Sequence, residues 1–207
     1  MTQTLLSPLP PRLALLLTPS FRQRLCRAIL VGEAERDERS RSGYPLHYPG
    51  QAAHAERCFQ LDAALLSAGW FRSDPKLQVV FTSPCGQIRL VTMTANLPVL
   101  SNREPTTRRK GPQTERAVWR NHEALIESYG SPSPLCPLTL FLLVQRTPAW
   151  VRAELALPSE VERRGSTMHY TWVWRELLLE TALQASREGI EVIPTVWADF
   201  ELVEKRA

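Results

Sequence analysis

Leu77-Gln-Val-Val-Phe-Thr-Ser-Pro-Cys-Gly-Gln-Ile-Arg-Leu-Val-Thr-Met-Thr-Ala95 decides the fold class. Its two halves, Leu77–Ser83 and Gln87–Ala95, are rich in β-branched residues, whose stiff side chains suit a pleated surface. Ser-Pro-Cys-Gly between them has the composition of a tight turn. The stretch reads as a β-hairpin, and the patterns on both sides of it are helical.

Moving toward the C-terminus, Asn96 to His122 concentrates positive charge. Arg103, Arg108, Arg109, Lys110, Arg116 and Arg120 face only Glu104 and Glu115, an excess equal to the formal net charge of the whole chain, +4. Pro98, Pro105, Gly111 and Pro112 prevent this segment from continuing a strand or a helix. From about Thr114 the pattern becomes helical, with Val118, His122, Leu125, Ile126 and Tyr129 on one side. Arg116 and Arg120 are neighbours on another face, with Trp119 between the two.

Gly130-Ser-Pro-Ser-Pro-Leu-Cys-Pro137 has the composition of a linker. Leu138–Arg146 is almost continuously apolar, as in a strand buried on both faces. Val151–Leu157 alternates and is expected to pair with it antiparallel. Ser159-Glu-Val-Glu162 has the form of a capping box and predicts one helical turn stopped by Gly165. Thr167–Arg187 reads as a long helix across the sheet, with Trp172 and Trp174 pointing different ways and one of them at a surface or interface. Ile190–Val203 reads as one or two closing strands.

Toward the N-terminus, Gln51–Ala68 reads as a helix stopped by Gly69, with Ala55, Cys58, Phe59, Leu61, Leu65 and Leu66 on its buried side. Thr18-Pro19 opens another helix, running to about Arg39 on a stripe of Phe21, Leu25, Ala28 and Ile29. Residues 1–18 read as an irregular arm whose leucines dock on the body. Leu13–Leu17 is too short an apolar run for an export signal or a membrane span, so a cytoplasmic protein without membrane contact is expected.

The architecture expected is α+β: antiparallel β hairpins with helices packed on one side. The linker divides it into an N-terminal α+β region, 1–130, with a basic loop at 101–116, and a C-terminal ββαβ region, 131–207. The same elements also fit a single domain.

A chain of 207 residues with 43% hydrophobic and 22% charged residues builds a sizeable core. A pI near 9.1 points mildly to an anionic partner. Cys26, Cys58, Cys85 and Cys136 show no paired spacing and read as free thiols. No Gly-rich phosphate loop, His-Glu-x-x-His or Gly-x-Ser-x-Gly occurs, so neither metal ligands nor a cofactor nor catalytic residues are assigned.

Function rests on arginine. The loop Arg39–Gly50 displays Tyr44, His47 and Tyr48 beside Arg39 and Arg41. Aromatics interleaved with arginines suit a single-stranded nucleic acid, because bases stack on rings while guanidinium groups meet phosphates. The expected contact set is Arg39, Arg41, Tyr44, Tyr48, Arg103, Arg108, Arg109, Lys110, Arg116, Trp119 and Arg120. Together they describe a DNA- or RNA-binding or accessory protein, not an enzyme. An assembly subunit docking a protein partner through an apolar patch near Trp172 or Trp150 is the second reading. The third is a metal-independent nuclease using His47 or His122. The bland alternative is a solvated basic loop.

Overall fold

The computed structural model describes residues 13, 17–41, 45, 48–74, 78–96, 104–108, 110–127, 137–147, 149–186 and 189–192; the side chains at 41, 127, 183–186 and 189–192 are outside this description. The protein is α+β, as expected. In chain order the described elements are α1 (Pro19–Arg41), α2 (Tyr48–Leu66), β1 (Phe71–Ser73), β2 (Val80–Thr82), β3 (Ile88–Thr94) and β4 (Thr107–Arg108). They are followed by α3 (Pro112–Glu127), β5 (Leu138–Arg146), β6 (Trp150–Arg164), β7 (Thr167–Ser186) and β8 (Gly189–Val192).

α1 begins where its cap predicts: the Phe21 N–H donates to Thr18 Oγ1 at 3.2 Å. Phe21, Leu25, Ala28 and Ile29 are all buried. α2 ends at Gly69, whose φ of 77° only glycine adopts freely. There the N–H groups of Gly69 and Trp70 close onto the carbonyls of Leu66 and Leu65. The buried stripe of α2 differs from expectation. Ala53, Arg57, Cys58, Leu61 and Leu65 face inward, whereas Phe59 and Leu66 are exposed.

The strands form one eight-stranded sheet in the order β1-β2-β3-β5-β6-β7-β4, with β8 on the far part of β7. The expected hairpin is present as β2 and β3, paired through Phe81–Leu90 and Thr82–Arg89. β3 runs parallel to β5, from Ile88–Leu138 to Thr94–Val144, so the two β regions share a sheet. α3 supplies the crossover that a parallel pair needs.

Two expectations for the C-terminal half are overturned. The Ser159–Glu162 box is not a helical turn, because β6 continues through it to Arg164. Gly165, at φ 59°, then makes a two-residue hairpin turn with Ser166. Thr167–Ser186 is a strand rather than a helix, paired with β6 from Arg164–Thr167 to Trp150–Ala182. The expected ββαβ region is therefore a run of antiparallel strands. Trp172 and Trp174 do point different ways, although for another reason. The ladder shifts register between Leu157–Trp174 and Pro158–Trp172, and the extra residue turns the two indoles to opposite faces. Both are buried, so neither forms a surface patch.

β4 completes the topology. It pairs with the start of β7 through Thr107–Met168 and Arg108–Thr167. It also bridges back to β3 through Ala95–Thr107 and a bond from Asn96 N–H to Thr106 O. The strands β3, β5, β6, β7 and β4 thus close into a ring. Inside it lie Val91, Met93, Phe141, Leu143, Ala156, Met168, Tyr170 and Trp172, joined by Val118 from α3. On the outer face, α1 and α2 cover Leu90, Leu140, Leu142, Val144, Ala153, Leu155 and Trp174.

Buried polar groups fix two further positions. Arg57, on α2, donates to Glu33 Oε1 of α1 at 2.9 Å and to Thr92 Oγ1 of β3 at 3.2 Å, and Arg146 reaches Glu33 and Asp37. Asn121, on α3, enters the sheet where β5 and β6 part at Pro158. Its Nδ2 donates to the carbonyls of Thr139 and Pro158, both at 2.9 Å, and its Oδ1 accepts from Thr139 N–H at 2.6 Å. Leu13 and Leu17 are buried, as the docking arm requires. The rest of the arm before residue 17, the linker at 128–136 and residues 193–207 lie outside the described residues. No helix among the described residues is long and apolar enough to cross a membrane.

Candidate nucleic-acid interface

α3 carries the core of the expected contact set. Pro112 occupies its first position, where a missing N–H costs nothing. Thr114, Val118, Asn121 and Ala124 turn inward at helical spacing. This corrects the expected inner face: Ile126 is exposed and His122 only half-buried. The outer face presents Arg116, Trp119 and Arg120, three residues that the i, i+3, i+4 spacing makes neighbours. Trp119 is 53% exposed and rests edge-on against His122, with centroids 5.9 Å apart.

The charge around this face is unbalanced. Arg89, on β3, lies within electrostatic reach of Arg120. Partial burial and then the Arg120 charge hold its guanidinium below the usual arginine value. Glu115, an acidic residue of the basic segment, is drawn away to Arg163 of β6. Among the described residues, no salt bridge forms on Arg108, Arg116 or Arg120. Like charges held together without a counterion are unfavourable, and an approaching anion relieves them.

β4 holds Arg108, and Lys110 follows between β4 and α3. Arg108 is exposed and shares a register row with Thr167 and Arg164. Lys110 is half-buried, and burial followed by the Arg108 charge lowers its pKa. Lys110 in turn comes near α2. Burial, then Arg57, then Lys110 pull the His54 imidazole down to about 4. The basic segment therefore reaches the first half of the helix that opens with Tyr48, itself partly exposed. Arg39 is committed within α1, its Nε donating to Glu35 at 2.6 Å. The side chain of Arg41 and residues Tyr44, His47, Arg103 and Arg109 lie outside the described residues.

Sequence reading missed Arg89 and Arg163. Arg89 sat inside a strand pattern and Arg163 inside an apparent helical turn, so nothing placed either beside α3. Among the described residues, no group of three His, Cys, Asp or Glu side chains stands ready to hold a metal ion. Comparison with known proteins finds no matching family model, curated protein or solved structure.

Proposed function

We propose that this protein binds single-stranded nucleic acid across the outer face of α3 and the adjoining β4. Arg116, Arg120, Arg89 and Arg108 meet successive phosphates, and Trp119 offers a ring on which a base stacks. The observation that carries this reading is the Arg89–Arg120 juxtaposition beside a half-exposed tryptophan, with the nearby carboxylate of Glu115 bound elsewhere. Arginine suits the task because its planar fork meets phosphate oxygens in pairs.

The test is a gel-shift and anisotropy series with single-stranded and duplex DNA and RNA at two salt concentrations. The wild type is compared with Arg116→Ala/Arg120→Ala and with Arg108→Ala/Lys110→Ala. Loss of two phosphate contacts lowers the salt slope by about 1.4 for a single strand. Equal retention by all three proteins, or none by any, removes the proposal.

A second reading has its own observation. Phe59, Leu66 and Phe71 are 62%, 65% and 53% exposed on α2 and the edge strand β1. A protein partner docking there would make the chain an assembly subunit, on a different surface from the Trp172 region expected from sequence. Trp150, the other expected anchor, is half-buried under Arg152 at 4.4 Å. Stable co-purification with a partner, lost in Phe59→Ser/Leu66→Ser, is the outcome expected from that reading.

A further inference from the structure

The open edge of the sheet and an apolar stripe on α2 lie side by side. β1 ends the strand order: it pairs with β2 on one side, and among the described residues no strand lies on the other. We infer that this edge takes the β1 edge of a second copy of the chain, antiparallel about a two-fold axis at Ser73. The inference rests on the docking reading of this surface given above and names its partner.

Arg72 stands opposite Phe81, which packs in the core beneath α1 and α2. Side chains alternate along a strand, so Arg72 lies on the helix-covered face of β1, with Phe71 and Ser73 on the other. Arg72 accordingly comes within 3.8 Å of Asp62 on α2. α2 meets α1 through Ala53, Arg57 and Ala64: Gly32 fits against the Ala53 carbonyl, Arg57 pairs with Glu33, and Arg24 donates to the Ala64 carbonyl. Helical spacing puts Ala55, Phe59, Asp62 and Leu66 on the side of α2 turned away from those contacts, toward the open edge. There Phe59 and Leu66 are largely exposed, as is Phe71 on the far face of β1. A strand added to β1 satisfies its outward backbone groups and covers Phe71. It also carries its own α2 up to the stripe, so one partner accounts for both features.

Charge selects a second copy and its register. A two-fold axis normal to the sheet pairs only residues of the same face, which leaves few choices. Centred on Phe71, the ladder runs into the turn at Gly69. Centred on Arg72, it sets guanidinium against guanidinium, and centred on Asp74, carboxylate against carboxylate. Like charges directly opposite destabilise a ladder. Centred on Ser73, it sets Arg72 of each copy against Asp74 of the other. Within one chain Arg72 already donates to Asp74 through Nε and Nη2, at 2.9 and 2.8 Å, which places both on one face. Exchanging that exposed pair for its counterpart across the seam is close to neutral. Charge therefore sets the register, while the ladder and the apolar stripe supply the affinity. An unrelated strand lacks the inverted pair, and the same charges then keep it off the edge.

The experiment is sedimentation equilibrium of the full chain at low ionic strength over a concentration series. A short edge and a short stripe make a small interface, so a dimer in the micromolar range is expected. Phe59→Ser/Leu66→Ser is expected to weaken it about tenfold or more. Arg72→Asp and Asp74→Arg each set like charges across the seam and weaken self-association roughly tenfold. Mixed together, these two chains carry complementary edges and are expected to pair as tightly as the wild type. The double exchange Arg72→Asp/Asp74→Arg keeps both pairings, serves as the folding control and is expected to dimerise like the wild type. Loss of fold in an impaired chain cannot produce recovery on mixing. A wild-type monomer at every concentration, single variants that self-associate undiminished, a monomeric double exchange, or no recovery on mixing overturns the second-copy assignment. The docking reading is judged apart. A wild-type monomer that still co-purifies with another protein, in a way lost in Phe59→Ser/Leu66→Ser, leaves that reading standing; no association of any kind removes both.

Discussion

Replacing Asn121 by alanine removes a side chain that does the work of a missing strand partner. Its amide serves the N–H and C=O of Thr139 and the C=O of Pro158 at a place where proline has no N–H to offer. All three groups lie in a region where Asn121 itself is fully buried. A buried polar group left unsatisfied costs about 1–3 kcal/mol. Three such groups, partly relieved by water entering the vacated space, give a loss of about 3–5 kcal/mol. For a domain of this size that corresponds to a fall of roughly 10 °C in melting temperature. Asn121→Asp separates hydrogen bonding from volume, since it fills the same space. One oxygen still accepts from Thr139 N–H, but the other then faces two carbonyl oxygens with no donor between them. At neutral pH it is expected to be at least as damaging as alanine. Urea unfolding followed by circular dichroism and tryptophan fluorescence measures both variants. A loss below about 1 kcal/mol for alanine, or a wild-type aspartate variant, refutes the reasoning.

Gly32→Ala sets helix propensity against packing. Alanine gains up to about 1 kcal/mol in a helix interior. The added Cβ, however, would stand 2.7 Å from the backbone oxygen of Ala53 and 3.1 Å from Arg57 Cβ. Backbone cannot swing aside, and overpacking costs about 1–3 kcal/mol, so net destabilisation is expected on thermal melting. Stability should also fall as pH drops from about 6.5 to about 4. Folded His54 binds its proton only near the lower value, so the unfolded chain takes up more protons across that window. The His54 imidazole is shielded on one side but the residue keeps a face open to solvent, so screening holds the effect to the order of 1 kcal/mol. His54→Gln removes that part of the pH profile, and an unchanged profile would show another group responsible. Among the described thiols, Cys85 is exposed, and its hydrogen bond with Ser83 lowers its pKa. Burial pushes Cys26 up to about 11 and raises Cys58. In a Cys136→Ser background, Cys85 should therefore react first with a thiol reagent, and Cys85→Ser should abolish the fast phase.

Local signals were legible in the sequence where one force dominated. Leu138–Arg146 reads as a doubly buried strand because every position there is apolar or adjacent to apolar, and β5 has those bounds. Thr18-Pro19 and Gly69 mark helix ends through chemistry confined to a single turn. The C-terminal half failed because two periods compete within it. Leu177, Leu178, Leu179 and Glu180 favour helix, while Tyr170, Thr171, Trp172 and Val173 favour strand. The bulges erase the strict alternation that would have decided for strand. Ser159 and Glu162 mimic a capping box, yet they lie in the extended two-stranded ribbon of β6 and β7. At the candidate site, Arg116, Trp119 and Arg120 were legible because helical spacing alone joins them. Arg89 and Arg163 come to the same place only through the sheet, and no local pattern carries that information.

The pairing of β4 with β7 also has a consequence for synthesis. Thr107 and Arg108 are seated by Thr167 and Met168, some sixty residues later in the chain. On the ribosome, the cationic segment emerges first and waits for the partner strand that seats it. Until the last hairpin arrives, the nascent chain carries its charge without the geometry proposed to read a strand. Whatever depends on the placement of Thr107 and Arg108 is thus acquired only after β7 has been made.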